Sequence, residues 1–309
     1  VLGFLARRIA RALLTAVGVV SAVFVLVRAV PGDPAATILG DQASPEELAA
    51  LRARLHLDAP LLEQFGAFWR DVVGGSLGRS FRDDRAVSER IGEVLPDTAL
   101  LALAALLVAW SIALPLGTIA ARFRGRWPDR VASTLAVAGL AIPNLWLGPL
   151  LVLLFGVVLR WLPIPGDDAV GWRGLVLPAI TLGTALAASL TRQTRAAVAD
   201  ALARPFSIAA AARGLSPRRV LLRHALPNAA LPVLTIAGAQ VAALLSGAVV
   251  VEKIFERDGL GSLFLDAFFA RDIPIVQGCV LVVALVTVAV NLLLDLLYTA
   301  VDPRVRIAS

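Results

Sequence analysis

A chain of 309 residues that is 58% hydrophobic, with a mean hydropathy of +0.81, carries more apolar surface than a water-soluble domain can use. A single cysteine, Cys279, excludes an internal disulfide and any multi-cysteine metal site, and the two histidines, His56 and His224, fall in different segments. Lys253 is the sole lysine and no Gly-Lys-Ser/Thr occurs, so Walker A chemistry is excluded and any nucleotide that drives this protein sits on another chain.

The apolar residues are gathered into six long stretches: Ile9–Val30, Thr98–Ala121, Val131–Leu159, Leu175–Thr191, Leu231–Val251 and Ile275–Val301. A bilayer core of about 30 Å takes roughly 20 such residues per helix, and lipid offers the backbone no hydrogen-bond partners. The expected fold is all-α, with six transmembrane helices. The first stretch is too long for a signal h-region and no small-residue cleavage pattern closes it, so it reads as a retained span.

Charge sets the expected orientation. The N-terminus, 122–130, 192–226 and the C-terminal tail together hold 16 Arg and three acids, a net of +13. The alternate segments, 28–97, 160–173 and 252–272, hold 13 basic residues and 19 acids, a net of −6. Positive loops stay in the cytoplasm, so both termini are expected inside and 31–97 outside. The high isoelectric point of 10.9 follows from that topology, and nucleic acid is not an expected partner. The chain divides into a tail and first span (1–30), an extracytoplasmic helical segment (31–97), a five-helix core (98–301) with a cytoplasmic loop at 192–226, and a cytoplasmic tail (302–309).

Within the outer segment, Ser44-Pro45-Glu46-Glu47 predicts a helix start with a capping box. Leu48, Leu51 and Leu55 then share a face. A second helix is predicted from Pro60, with Leu61, Phe65, Phe68, Trp69 and Val72 at helical spacing, ended by Gly74-Gly75. This element either docks a soluble partner or packs on the spans alone.

The 192–226 loop has punctuation of its own. Four alanines, Ala209 to Ala212, favour a helix. Gly214 suits the left-handed position that ends it, and Ser216-Pro217 restarts a helix. Helix, glycine turn and helix within about 20 residues make a small rigid handle, with arginines on the second helix for acidic groups or lipid phosphate. The residues alone leave two readings open, a coupling element or a basic loop without a partner.

This loop resembles the EAA loop of ABC importer permeases. Glu-Ala-Ala of that motif falls on Ile208-Ala209-Ala210, its glycine on Gly214 and its ending on His224-Ala225-Leu226-Pro227. Ile208 in place of Glu, with Gly214-Leu215-Ser216 and His224–Ala229, is similar to the dipeptide, oligopeptide and nickel branch, and to the first permease of its pair. The resemblance extends through Pro31-Gly32-Asp33-Pro34, Leu57-Asp58-Ala59-Pro60, Gly75–Ser80, Ala141–Gly148, Val251–Phe255, Asp258–Gly261 and Asp302–Arg306. It implies a non-enzymatic translocation subunit in the bacterial plasma membrane. The implied partners are a second homologous permease, two ATP-binding subunits that carry the ATP and Mg, and an extracytoplasmic substrate-binding protein. No cofactor is implied on this chain. Phe206, Ile208, Ala209, Ala210, Arg213, Gly214, Leu215, Ser216 and Pro217 become the ATPase-coupling residues. The implied cargo is peptide, with nickel chelates, glutathione or another small solute open.

Polar residues inside spans are default functional suspects. Asn144, Gln240, Ser246 and Asn291 are the translocation-path candidates, and Asp295 is expected in an ion pair with a neighbouring Arg. Pro115, Pro143, Pro149 and Pro232 are expected to shape kinks. Glu252, Phe255, Gly259 and Gly261, in a predicted 252–272 loop, form a candidate outer gate or an ordinary surface loop. A membrane-embedded enzyme would need a nucleophile and base, or paired aspartates, at bilayer depth; a secondary transporter would need midplane carboxylates and inverted repeats. The sequence offers neither.

Overall fold

The computed structural model describes residues 2–29, 32–40, 43–166 and 171–301. The described residues form α-helices, in order α1 (Leu2–Ala29), α2 (Pro34–Leu39), α3 (Pro45–Arg54), α4 (Leu61–Val73), α5 (Val87–Arg122), α6 (Trp127–Ala141), α7 (Asn144–Leu151), α8 (Arg173–Ala203), α9 (Pro205–Ala212), α10 (Pro217–Val220), α11 (Leu226–Ile254), α12 (Leu260–Phe269) and α13 (Ile273–Val301). Two π-helical turns, Val152–Val158 and Leu221–Ala225, continue α7 and precede α11. The chain resolves into two compact units, one of Val1–Thr98 with Asp258–Ala289, the other of Ala99–Arg257 with Val290–Ser309.

In the first unit, the predicted capping box is present. Ser44 Oγ accepts from the Glu47 amide at 3.2 Å, and Glu47 Oε2 accepts from the Ser44 amide at 2.8 Å. The Leu48, Leu51, Leu55 face of α3 is only half-buried. α4 begins after Pro60 as expected and docks through rings: Phe65 and Phe68 lie 5.1 and 5.7 Å from Phe24 of α1. The core of this unit joins Val87 and Ile91 of α5, Leu260 and Leu263 of α12, and Val276 and Cys279 of α13. Gly278 permits the crossing of α13 and α5, since a Cβ there would lie 2.5 Å from Val87. A buried carboxylate closes the corner between α12 and α13: Asp272 accepts from Ser80 Oγ at 2.5 Å and from the Phe81 amide at 3.1 Å.

The second unit is built on α8. Its glycine Gly183 presses on α5, where a Cβ would stand 2.7 Å from the Ala105 carbonyl, and Gly117 of α5 presses back on Thr194. Small residues at such crossings let helices pack by close contact where lipid supplies no hydrophobic drive. Leu101 and Ala105 of α5, Leu177 and Leu182 of α8, and Leu244 and Ala248 of α11 fill the core.

Helix ends differ from the apolar stretches. α5 starts at Val87, well before Thr98, and its 36 residues reach about 54 Å. α8 runs on to Ala203, so the first part of the predicted 192–226 loop is helix. The 131–159 stretch is not one straight span: Pro143, without an N–H and with Ile142 forced extended, splits it into α6 and α7 at 98°. Pro115, Pro149 and Pro232 lie inside continuous helices, so of the four prolines Pro143 alone separates two helices. The predicted 252–272 loop contains the end of α11 and the ten residues of α12. Among the described residues, Val87–Arg122, Arg173–Ala203 and Ile273–Leu294 are long and apolar enough to cross a bilayer, and the bent α6–α7 pair makes a fourth candidate.

Candidate coupling loop and translocation residues

The loop after α8 is held from three sides. Pro205 opens α9 at its first position, where a missing N–H costs nothing. Ser207 is buried and donates through Oγ to the Ala201 carbonyl at 2.8 Å. Ala210 is buried beside it, and Phe206 packs on the cluster formed by Ala121 of α5, Val198 and Ala201 of α8, and Leu221, Ala225 and Ala229.

The turn that closes α9 is a complete Schellman motif. The Gly214 amide donates to the Ala211 carbonyl at 2.9 Å, and the Leu215 amide to the Ala210 carbonyl at 3.4 Å. Gly214 takes φ +85°, the left-handed region where a side chain is strained. Ser216 occupies the N-cap position of α10 with extended backbone, but its hydroxyl makes no capping bond; the amides of Arg219 and Val220 donate to its carbonyl instead. Leu221 and Ala225, within the following π-helical turn, return the chain to the core.

What remains outside is a face of small and apolar groups edged by charge. Ile208 is 59% exposed, Ala209, Ala211 and Ala212 are exposed, and Arg213, Pro217, Arg218 and Arg219 flank them. Such a surface lets another backbone approach closely and gives it cations to read.

The four translocation-path candidates do not form one constellation. Asn144 opens α7 after the bend, and its Oδ1 is buried with no hydrogen-bond partner. Gln240 on α11 is 8% exposed, with Oε1 likewise unpartnered. Asn291 on α13 is exposed. The side chains of Ser246 and Asp295 lie outside the described residues. Buried amide oxygens without partners are costly, so Asn144 and Gln240 each have an acceptor open to a donor. Trp110 Nε1, Thr194 Oγ1 and Gln277 Nε2 share that condition and were missed by the sequence reading; for Trp110 and Gln277 the signal was a polar atom inside an apolar run, and Thr194, between Gln193 and Arg195 in the predicted loop, gave none.

The outer-gate candidates fall in two groups. Glu252 is buried near the end of α11, and Phe255 joins the core with Ile254, both Ile254 and Phe255 lying against Gly148 of α7. Gly259 caps α12 with extended backbone, its amide donating to Ser262 Oγ at 2.9 Å, and Gly261 is buried within that helix. Neither glycine adopts a left-handed conformation, whereas Glu256 and Arg271 in the same segment do.

A bundle of apolar helices with a clamped helix–glycine–helix handle defines a polytopic permease. Residues 1–102 match the family described as "Binding-prot-dependent transport system membrane comp, N-term", and residues 113–307 match the "Binding-protein-dependent transport system inner membrane component" family. The chain belongs to this family of ABC importer permeases, in its oligopeptide-type branch, and is a multi-pass inner membrane protein that serves as a non-enzymatic translocation subunit. It is 40% identical over 284 residues to the "Glutathione transport system permease protein GsiC" of Escherichia coli O6:H1, covering 92% of each chain. It is 39% identical over 305 residues to the protein of the same name from Salmonella choleraesuis, covering 99% of each. Two solved structures share the fold. One is the crystal structure of an amino acid ABC transporter with histidines, at TM-score 0.54 and 16% identity. The other is the inward-facing MetNI methionine ABC transporter, at TM-score 0.55 and 18% identity. Each covers 69% of this chain, and the chain covers 94% and 96% of theirs.

Proposed function

We propose that this chain moves short peptides inward across the plasma membrane, and that partner ATPases drive it through the 205–224 loop. The observation that carries the reading is the clamped loop: three helices hold its buried side, while Ile208 and the exposed alanines offer a partner surface. ATP and Mg reside on two partner subunits, a second permease completes the pathway, and a soluble binding protein delivers cargo to 31–97. On this reading six spans cross the membrane with both termini in the cytoplasm, an orientation that the charge asymmetry supports. The roles of the coupling, pathway and outer-gate residues belong to the same proposal.

Cargo is the finer step. The relatives that match along almost the whole chain are named for glutathione, a tripeptide, which supports a short peptide with free carboxylates. Uptake of labelled glutathione and of a labelled dipeptide, measured in cells with this chain as their only matching permease, tests it. Accumulation of neither would remove the peptide reading. Gly214→Val tests coupling: the protein still inserts, and uptake falls at least tenfold because φ +85° is closed to a β-branched residue. Normal uptake would refute the role. For orientation, Arg52→Cys is labelled from outside by an impermeant thiol reagent in a Cys279→Ser background; labelling from the cytoplasmic side alone would reverse the topology.

A further inference from the structure

The first unit contains a cavity of about 410 Å³ that no role above uses. It opens at the C-terminal turn of α1, the Gly32–Pro34 corner, α3, α4 and the corner between α12 and α13. Three arginines line it, Arg28, Arg52 and Arg271, against two carboxylates, Asp33 and Asp58.

The carboxylate of Asp33 is committed. Arg52 holds it through Nε at 2.8 Å and Nη2 at 2.6 Å. Arg28 is in a different position. Its Nε donates to Gln64 Oε1 at 2.9 Å, its Nη1 reaches the Phe24 carbonyl at 3.4 Å, and its guanidinium stands 3.6 Å over the Phe24 ring. All of these partners are neutral, and no carboxylate pairs with Arg28 among the described residues. Its other N–H donors have no protein partner there, although a guanidinium carries five. A half-buried full charge without a counter-charge is expensive. The negative end of the α1 dipole offsets only about half a charge.

Arg271, against Gly32, adds a second cation to the lining. The φ of Gly32 is +127°, and a Cβ there would lie 2.5 Å from Arg271 Nη2, so the guanidinium of Arg271 beds against bare backbone. Apolar side chains share the lining, Val27, Phe268 and Val276, with Leu61 and Phe269 62% and 75% exposed. A cavity lined by both guanidinium and apolar groups suits an amphiphile with an anionic head. It sits at the C-terminal end of the apolar Leu13–Arg28 stretch of α1, in a chain that belongs to a membrane-spanning family.

We propose that this cavity binds an oxyanion, a phosphate or carboxylate, between Arg28 and Arg271, supplied by the headgroup of an anionic phospholipid. Guanidinium groups pair with such anions through charge-assisted hydrogen bonds. The assignment is independent of the coupling loop and of cargo.

The test uses the full chain in phosphatidylcholine nanodiscs, with and without phosphatidylglycerol. Phosphatidylglycerol is expected to raise the unfolding midpoint by about 3 °C. Arg28→Gln is expected to cancel that gain and to weaken lipid retention in native mass spectrometry by roughly tenfold; Arg28→Lys keeps part of both. Inorganic phosphate or glutarate titrated into pure phosphatidylcholine discs separates the sources. A gain from these, lost in Arg28→Gln, supports the anion site and moves its source to a free solute. No response to any of the three anions, or an equal response in Arg28→Gln, overturns the proposal. If Arg28→Gln does not reconstitute, phenylglyoxal modification of the wild-type chain replaces it: protection of Arg28 by phosphatidylglycerol supports the site, and an unprotected Arg28 overturns it.

Discussion

Arg195 of α8 grips Asp129 of α6 with two hydrogen bonds, Nε to Oδ1 at 2.5 Å and Nη2 to Oδ2 at 2.8 Å. The carboxylate is 6% exposed, and it also accepts from the Gly125 amide at 2.8 Å. One acidic residue therefore binds the turn before α6 to the helix that leads into the candidate coupling loop. Both residues lie in the same unit, with Arg195 two turns before α8 ends.

Asp129→Asn removes the counter-charge and leaves Arg195 facing an amide in a largely buried site. Breaking such a pair costs about 3 kcal/mol, the low end for buried pairs because Arg195 is 33% exposed. The expected outcome is a lower unfolding midpoint in detergent. The double variant Asp129→Asn/Arg195→Gln recovers part of the loss, because no unpaired cation remains. An unchanged midpoint in the single variant would show the pair to be dispensable.

Gly183 and Gly117 set how closely α5 and α8 approach. A methyl at Gly183 would meet the Ala105 carbonyl at 2.7 Å and Val108 Cβ at 2.9 Å. Backbone cannot give way as a flexible side chain can, so Gly183→Ala is expected to cost about 1–3 kcal/mol through overpacking. Gly247→Ala is the comparison, since its methyl would meet only the end of Leu182 at 3.0 Å. Thermal unfolding should rank Gly183→Ala clearly below Gly247→Ala.

The cap of α3 predicts a pH dependence. The Glu47 carboxyl is held below its usual range first by the Ser44 backbone N–H and then by the Ser44 side chain. A lowered folded-state pKa stabilises the helix above the ordinary glutamate range, and that contribution disappears as pH falls through the folded-state value. Protection factors of the amides in 46–54, corrected for intrinsic exchange, should therefore fall in acid, and Glu47→Gln should flatten that response. Identical pH profiles in the two proteins would dismiss the cap.

Local chemistry explains which parts of this fold can be read from sequence. Ser44 with Glu47, and Gly214 with Ser216-Pro217, announce their turns because each motif satisfies backbone groups within a few residues. Helix ends were less legible. Glu89, Arg90 and Glu93 end the apolar run before span two, yet the hydrogen-bonded helix continues through them to Val87. Arg192 and Arg195 hide the continuation of α8 in the same way. Hydropathy reports the solvent around a helix, whereas the backbone ladder sets its length. Pro143 marks a break in the sequence, but the 98° turn depends on how α6 and α7 pack on α8. The partner of Asp129 lies 66 positions away, and no pattern along the chain names it. For the candidate site, the helix–glycine–helix geometry of the loop was legible at Gly214 and Ser216, while Trp110 escaped because an aromatic blends into an apolar span and Thr194 because the arginines beside it hide the continuation of α8.

Ile208 gives the sharpest division between folding and function. It stands where the wider family places an acid, and it is 59% exposed on α9 while Ser207 and Ala210 face inward. A surface substitution there changes stability by no more than about 0.5 kcal/mol. Ile208→Asp is therefore expected to leave insertion and unfolding unaltered. If this face receives an ATPase, the same change buries a charge in the contact, and uptake should fall at least tenfold, the effect of roughly 1.4 kcal/mol in binding. Phe206→Ala is the counterpart, because Phe206 packs on Val198 and Ala201 and its loss should loosen the loop and lower stability as well as transport. Transport at wild-type rates in Ile208→Asp would place the partner contact elsewhere on the chain.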